Sequence, residues 1–265
     1  MRIPVNNLNV QDMKSTLAFI ILFFCLNLQG QERYANIDGQ KFLIKESGLG
    51  NVTVIFESGM PDSLEAWGSI PDTVASYAHV FLYDRADIGK SDSSRLKRTI
   101  PNMVAELKSI LNHENINPPY ILVGHSLGGY ITRYFSSQFS DDVKGLLLFD
   151  PAPEAYWESM SEKKLKEYIE GGTEWYRTKH APKYSKEWFQ FIPNMVYMKN
   201  LNMPKDLPII LVSASKSNWY KYHKKIITCF KNAKLIELEG GHYIHRDHQD
   251  LILKYIKELT IQTNY

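Results

Sequence analysis

Cysteine is scarce in this chain: Cys25 and Cys229 are the only two among 265 residues. Two thiols cannot build a disulfide framework or a cysteine-rich zinc site. A long apolar run is also missing. The stretch Leu17–Leu26, LAFIILFFCL, has 10 residues, whereas a helix needs about 20 to cross a bilayer. An excess of one charge is lacking too, with 31 Lys and Arg against 29 Asp and Glu for a net +2. The cations are scattered among acids rather than gathered in a stripe, which argues against nucleic acid as a partner. There is no internal repeat and no low-complexity tract, which excludes solenoids and disordered linkers. The histidines lack the spacing of zinc ligands, and neither a metal nor an organic cofactor is implied. What remains is 44% apolar and 23% charged residues, the composition of a folded globular protein suited to a small-molecule ligand.

The short apolar run suits the h-region of a secretory signal, with Lys14 before it and the small residue Gly30 after it. Residues 1–30 are therefore expected to be a signal peptide, with Met13-Lys14 as an alternative natural start. The implied location is periplasmic or secreted. Leu28 is large for the position three residues before the cut. Two alternatives leave the chain membrane-anchored: an uncleaved signal, or a lipid on Cys25, although Phe24 is large where a lipidation site wants a small residue. A buried core helix is the third reading of the same stretch. Cys229 sits among Ile226, Ile227 and Phe230 and is expected to be a small buried hydrophobe.

Beyond the leader, short β-rich runs alternate with helical periodicity, the pattern of an α/β fold with a mostly parallel sheet. Arg33–Ile37 and Lys41–Lys45 flank Asp38-Gly39 and read as a hairpin. Val52–Phe56, Val80–Tyr83, Tyr120–Val123 and Val143–Phe149 are nearly continuous apolar runs, as expected of strands covered on both faces. Pro208–Val212 and Ala233–Leu238 complete the set. Val104, Leu107 and Leu111 share a helical face, as do Leu127, Tyr130, Ile131, Tyr134 and Phe135, and Ile252, Tyr255, Ile256 and Leu259. From Pro151 to about Pro204 no strand is evident and large aromatics abound, among them Trp157, Tyr168, Trp188 and Phe191. A segment this long between two strands is expected to fold separately as a helical lid. Its rings either line a pocket or form the lid's own core.

The strand Tyr120–Val123 runs into Gly124-His125-Ser126-Leu127-Gly128-Gly129 and then into a helical stripe. This is G-x-S-x-G in a strand–turn–helix setting. So tight a turn strains the serine backbone and leaves room only for small neighbours. It lifts the hydroxyl clear of the sheet, while the free N–H groups of the helix start point to where negative charge develops. Ser126 is the expected nucleophile.

VGHSLGG resembles the nucleophile elbow of the esterase and lipase branches of the α/β-hydrolase superfamily. Two further segments carry the likeness. YDRADIGKSD (Tyr83–Asp92) is similar to the loop after strand four, and EGGHYIHRDHQDLI (Glu239–Ile252) to the segment that bears the catalytic histidine. The resemblance runs from about Arg33 to the closing helix. It implies an α/β-hydrolase fold over 31–265, a mostly parallel sheet flanked by helices, with 152–205 inserted as a helical lid after the sixth strand. It implies His242 as the base, with His245 and His248 in the following helix facing away. In the family the acid more often follows the strand here placed at Pro208–Val212, but that strand runs into Ser213-Ala214-Ser215-Lys216-Ser217-Asn218, without a carboxylate. Asp150 ends the preceding strand, a position that some branches use, and is the implied acid. Asp247 and Asp250 read as surface or capping groups. Leu127 and Met60 are the implied backbone donors of the oxyanion hole, although Ser58-Gly59 replaces the usual His-Gly before Met60. Asp84 and Arg85 are implied to be architectural, Glu57 a structural hydrogen-bonding group, and Asp87 has no assigned role.

The constellation points to a serine hydrolase of the carboxylesterase or lipase type acting on a small ester-like substrate. An acyltransferase, thioesterase, lactonase or amidase would share it. A serine nucleophile disfavours the dehalogenase and epoxide-hydrolase branches, which use aspartate. A non-catalytic ligand-binding protein of the same fold is the reading from another class.

Overall fold

A computed structural model describes residues 30–179, 182–199 and 201–263. The expected signal peptide and Cys25 lie outside the described residues, save for Gly30. Eight strands form one sheet: β1 (Gln31–Ile37), β2 (Gln40–Ser47), β3 (Thr53–Glu57), β4 (His79–Tyr83), β5 (Tyr120–His125), β6 (Val143–Phe149), β7 (Ile209–Ala214) and β8 (Ala233–Leu238). Their order is β1-β2-β4-β3-β5-β6-β7-β8. Only β2 runs against its neighbours; the pairs from β4 to β8 are all parallel. Every residue of β3, β5 and β7 is buried, which accounts for their unbroken apolar runs. The edge strand β8 is only half-buried.

The helical stripes cover the two faces. Met103, Val104, Leu107, Ile110 and Leu111 of α2 (Ile100–His113) and Tyr130, Ile131 and Phe135 of α3 (Gly128–Gln138) build the core on one side. A Thr99 side-chain cap on the Asn102 N–H, with Pro101 in the first turn, starts α2. The other face is filled by Val74 of α1 (Ile70–Val74), by Trp67, and by Ile252, Ile256 and Leu259 of the closing helix Gln249–Thr263. Cys229 differs from expectation: it is exposed. It lies just past the helix Tyr220–Ile227, so its apolar sequence neighbours turn inward while it does not.

No strand lies between β6 and β7 among the described residues. That stretch folds into α4 (Glu154–Glu158), α5 (Glu162–Lys179) and α6 (Ser185–Phe191), followed by a tight helical turn at Pro193–Met198. Trp157, Tyr176, Trp188 and Phe191 are buried here, stacked and edged on one another at 4.8–6.1 Å. These four rings thus pack on one another within the segment, while Trp175, Phe189 and Tyr197 are exposed. The packing of α5 on α6 needs a glycine at one of two adjacent positions and not at the other. A Cβ on Gly172 would stand 1.9 Å from Trp188 Cζ2, whereas one on Gly171 would meet nothing within 4 Å. Gly171→Ala is expected to stabilise by about 0.5–1 kcal/mol through helix propensity. Gly172→Ala should destabilise by about 1–3 kcal/mol through overpacking. Thermal denaturation of the two variants checks the opposite signs.

Candidate active site

The parallel strands aim their carboxyl ends at one edge of the sheet, where ligands of open α/β sheets collect. Ser126 follows β5 directly with φ +52°, a conformation that L-residues rarely adopt and that a functional turn retains. Its N–H donates to the Phe149 carbonyl of β6, and its own carbonyl accepts from Gly129 and Ala152. The elbow needs close approach: a Cβ on Gly128 would stand 2.1 Å from the Glu57 carbonyl oxygen. The loop after β3 therefore lies directly on the start of α3.

Three predicted side chains come together. His242 Nε2 is 2.9 Å from Ser126 Oγ, and His242 Nδ1 is 2.7 Å from Asp150 Oδ2. Asp150 is fully buried at the end of β6 with φ +39°, while the His242 side chain is 33% exposed. The other carboxylate oxygen, Asp150 Oδ1, accepts from the Ala214 N–H at 3.0 Å and from Ser217 Oγ at 2.9 Å. The Asp150 carboxylate accepts a hydrogen bond from the His242 Nδ1–H, a tautomer that leaves the Nε2 lone pair facing the serine hydroxyl. Among the described residues, neither the Met60 nor the Leu127 N–H donates to a protein acceptor. Those are the two groups expected to face a developing oxyanion.

The neighbouring imidazoles His125, His245 and His248 make no hydrogen bond to the side chains of Ser126, His242 or Asp150. His125 Nε2 donates to the His242 carbonyl at 2.8 Å and ties the His242 loop to the elbow. His245 is buried with its ring 4.2 Å from that of His125, not turned to the surface. Burial pushes His125 well below the ordinary imidazole range and His245 down to about 3, so both are neutral. They add no positive charge to oppose an imidazolium at His242. His248 bonds the Glu239 carbonyl, and Asp247 and Asp250 are exposed, away from the relay.

Some groups at the site had little or no signal in the sequence. Ser217 lies in the carboxylate-free stretch after β7 and donates to Asp150. Trp219 places its ring 5.2 Å from that of His242, edge to face. The absence of a carboxylate in Ser213–Asn218 is a signal for Ser217; nothing local marks Trp219. Glu57, Asp84, Arg85 and Asp87 are all buried. Asp84 accepts from the Leu64 and Lys90 N–H groups, and Asp87 from Lys186 of α6 at 2.7 Å and the Ser94 N–H. Described residues supply no cluster of three or more His, Cys, Asp or Glu able to hold a metal ion, and no described helix is long and apolar enough to cross a membrane.

The sequence model of the alpha/beta hydrolase fold matches residues 52–183. The uncharacterized protein YqjL of Bacillus subtilis (strain 168) is 30% identical over 241 residues, covering 83% of this chain and 88% of that protein. An enol-lactonase from Burkholderia xenovorans LB400 superposes with a TM-score of 0.66 at 13% identity, over 86% of this chain and 100% of that one. A loop variant of the haloalkane dehalogenase DbeA from Bradyrhizobium elkanii also reaches 0.66, at 14% identity over 89% and 100%. At such identities the two structures share a fold with this chain and carry different chemistries on it, so chemistry must be argued from the side chains.

Proposed function

Because the chain belongs to the alpha/beta hydrolase fold family, we propose that it is a serine hydrolase that cleaves a carboxylic ester through an acyl-enzyme. The supporting observation is the unbroken relay Asp150–His242–Ser126, at 2.7 and 2.9 Å. A serine hydroxyl is a poor nucleophile at neutral pH, and an imidazole within hydrogen-bond reach removes that handicap.

Ser126 Oγ attacks the ester carbonyl carbon while His242 Nε2 takes the hydroxyl proton. The carbonyl oxygen becomes an oxyanion between the Met60 and Leu127 N–H groups, donors that need no reorganisation when charge develops. Collapse of the tetrahedral species breaks the bond to the alcohol, which leaves with the proton from His242. Water then gives a proton to His242 and attacks the acyl carbon, and the acid departs as Ser126 recovers its proton. Asp150 keeps the imidazole in the useful tautomer and offsets the imidazolium charge throughout. Residues 152–205 act as the lid, and Trp219 and Tyr243, edge-on to His242 at 5.2 and 5.7 Å, present an aromatic wall beside the base. An apolar acyl or aryl group suits such a wall.

A fluorophosphonate probe tests this reading, since an activated serine reacts with it far faster than an ordinary hydroxyl does. Peptide mapping of the treated full chain is expected to find the phosphonyl adduct on Ser126. A folded protein that forms no adduct would remove the proposal. A panel of nitrophenyl esters of rising chain length, run beside an acyl thioester and a lactone, then separates esterase from thioesterase and lactonase activity.

A further inference from the structure

Arg85 is 2% exposed, yet every one of its five N–H donors has an acceptor. Its Nε and Nη2 form a fork with Glu187 of α6, at 2.7 and 3.0 Å. Nη1 reaches Glu57 Oε1 at 2.7 Å and the Ser58 carbonyl at 2.8 Å. The second Nη2 donor reaches the Gly59 carbonyl at 3.1 Å. Burial alone would lower its basicity, but Glu187 and Glu57 hold it well above the ordinary guanidinium range. The cluster is costly to bury, and such ion pairs are weak contributors to stability compared with apolar packing. Its position suggests another use.

In a trans peptide the C=O and N–H point opposite ways. The carbonyl of Gly59 and the N–H of Met60 belong to one peptide unit. When Arg85 draws the Gly59 oxygen toward itself, the Met60 N–H is turned away from Arg85, and that N–H has no protein acceptor among the described residues. The Asp62 N–H helps from the same side by donating to the Gly59 oxygen at 2.9 Å. A flipped peptide would present a carbonyl to the oxyanion in place of a donor. Glu187 supplies two of the five acceptors and belongs to α6, which Lys183 and Lys186 also seat on the loop after β4 through the Gly89 carbonyl and Asp87. We infer that Arg85 is a positioning residue that locks the Gly59–Met60 peptide with its N–H toward the reaction centre, and that Glu187 completes the lock only when the helical segment is seated. The inference rests on the serine-hydrolase reading for its effect on rate, but not for its effect on the peptide.

Kinetics of Arg85→Lys and Glu187→Ala test it. Lysine offers three donors at one point where five acceptors are spread around a planar fork. Losing one oxyanion donor lowers kcat by about 10²–10³-fold. Arg85→Lys should approach the lower figure, and Glu187→Ala should lose about 10-fold, with KM within about twofold in both, since the donor acts mainly on the transition state. Affinity for a trifluoromethyl ketone, which forms an oxyanion on the serine, should fall in step with kcat. Affinity for the carboxylic acid product should not. A merely structural role would leave kcat within about threefold in the folded variants, or would weaken ketone and acid alike, and either result overturns the inference. If Arg85→Lys fails to fold, Glu187→Ala carries the same test. Crystal structures of the folded variants read the peptide directly, whether or not the wild type cleaves esters. A Gly59 carbonyl rotated off its present direction supports the lock, and an unmoved one overturns it.

Discussion

Ser126→Ala and His242→Ala are expected to give proteins of nearly equal residual activity, each about 10⁶-fold down in kcat, with the double variant no lower. On the serine-hydrolase reading the hydroxyl and the imidazole act as one unit across a single 2.9 Å hydrogen bond, so removal of either abolishes the same nucleophile. What persists is a background from the oxyanion donors and substrate binding, about 10³–10⁴ over water. The neighbouring imidazoles sharpen the test. His125 and His245 lie with their rings 4.7 Å from His242 and 4.2 Å from His125, respectively. If either could replace the base, His242→Ala would retain far more activity than Ser126→Ala. Both are depressed by burial, and His125 Nε2 is committed to the His242 carbonyl, so neither is available. Single-turnover rates with an activated nitrophenyl ester measure this. Additive losses in the double variant would show that the two groups do not act together.

The parts of the fold that the sequence made legible are those decided by local physics. Strands β3, β5 and β6 appear as apolar runs because both their faces are covered, and the elbow is visible because a strained turn needs small residues within six positions. The alternation of strand and helix patterns carries the α/β class with its mostly parallel sheet, the α/β-hydrolase fold rests on the family likeness, and the strand order has no local signal. Asp150 and His242 lie 92 residues apart, and no periodicity joins them; only the resemblance and the missing carboxylate after β7 mark Asp150. The Arg85 cluster was invisible for a stronger reason. Its partners Glu57 and Glu187 are 28 and 102 residues away, and a charged residue after a strand ordinarily means a solvated loop. Cys229 misled in the opposite direction. Apolar sequence neighbours suggested burial, but past a helix end the direction of each side chain is set by the turn.

Asp150→Asn is expected to lower kcat by about 10⁴-fold while the protein stays folded, and the reason lies in the far side of the carboxylate. Asp150 Oδ1 accepts from two donors, the Ala214 N–H and the Ser217 hydroxyl, the latter also donating to the Ala214 carbonyl in its alternative rotation. In an asparagine the amide oxygen must take that position, because an NH₂ there would face the Ala214 N–H. The NH₂ is then placed where Oδ2 now stands, 2.7 Å from His242 Nδ1. Facing a donor, Nδ1 becomes an acceptor, and the imidazole proton moves to Nε2, which faces Ser126. A histidine in that tautomer cannot take the serine proton. The loss should therefore lie in kcat rather than KM. Fluorophosphonate labelling of Ser126 should slow in proportion, since it needs the same deprotonation. Ser217→Ala alone, which leaves the Ala214 donor in place, should change the rate by much less. A folded Asp150→Asn variant with near-normal turnover would show that another group orients the base.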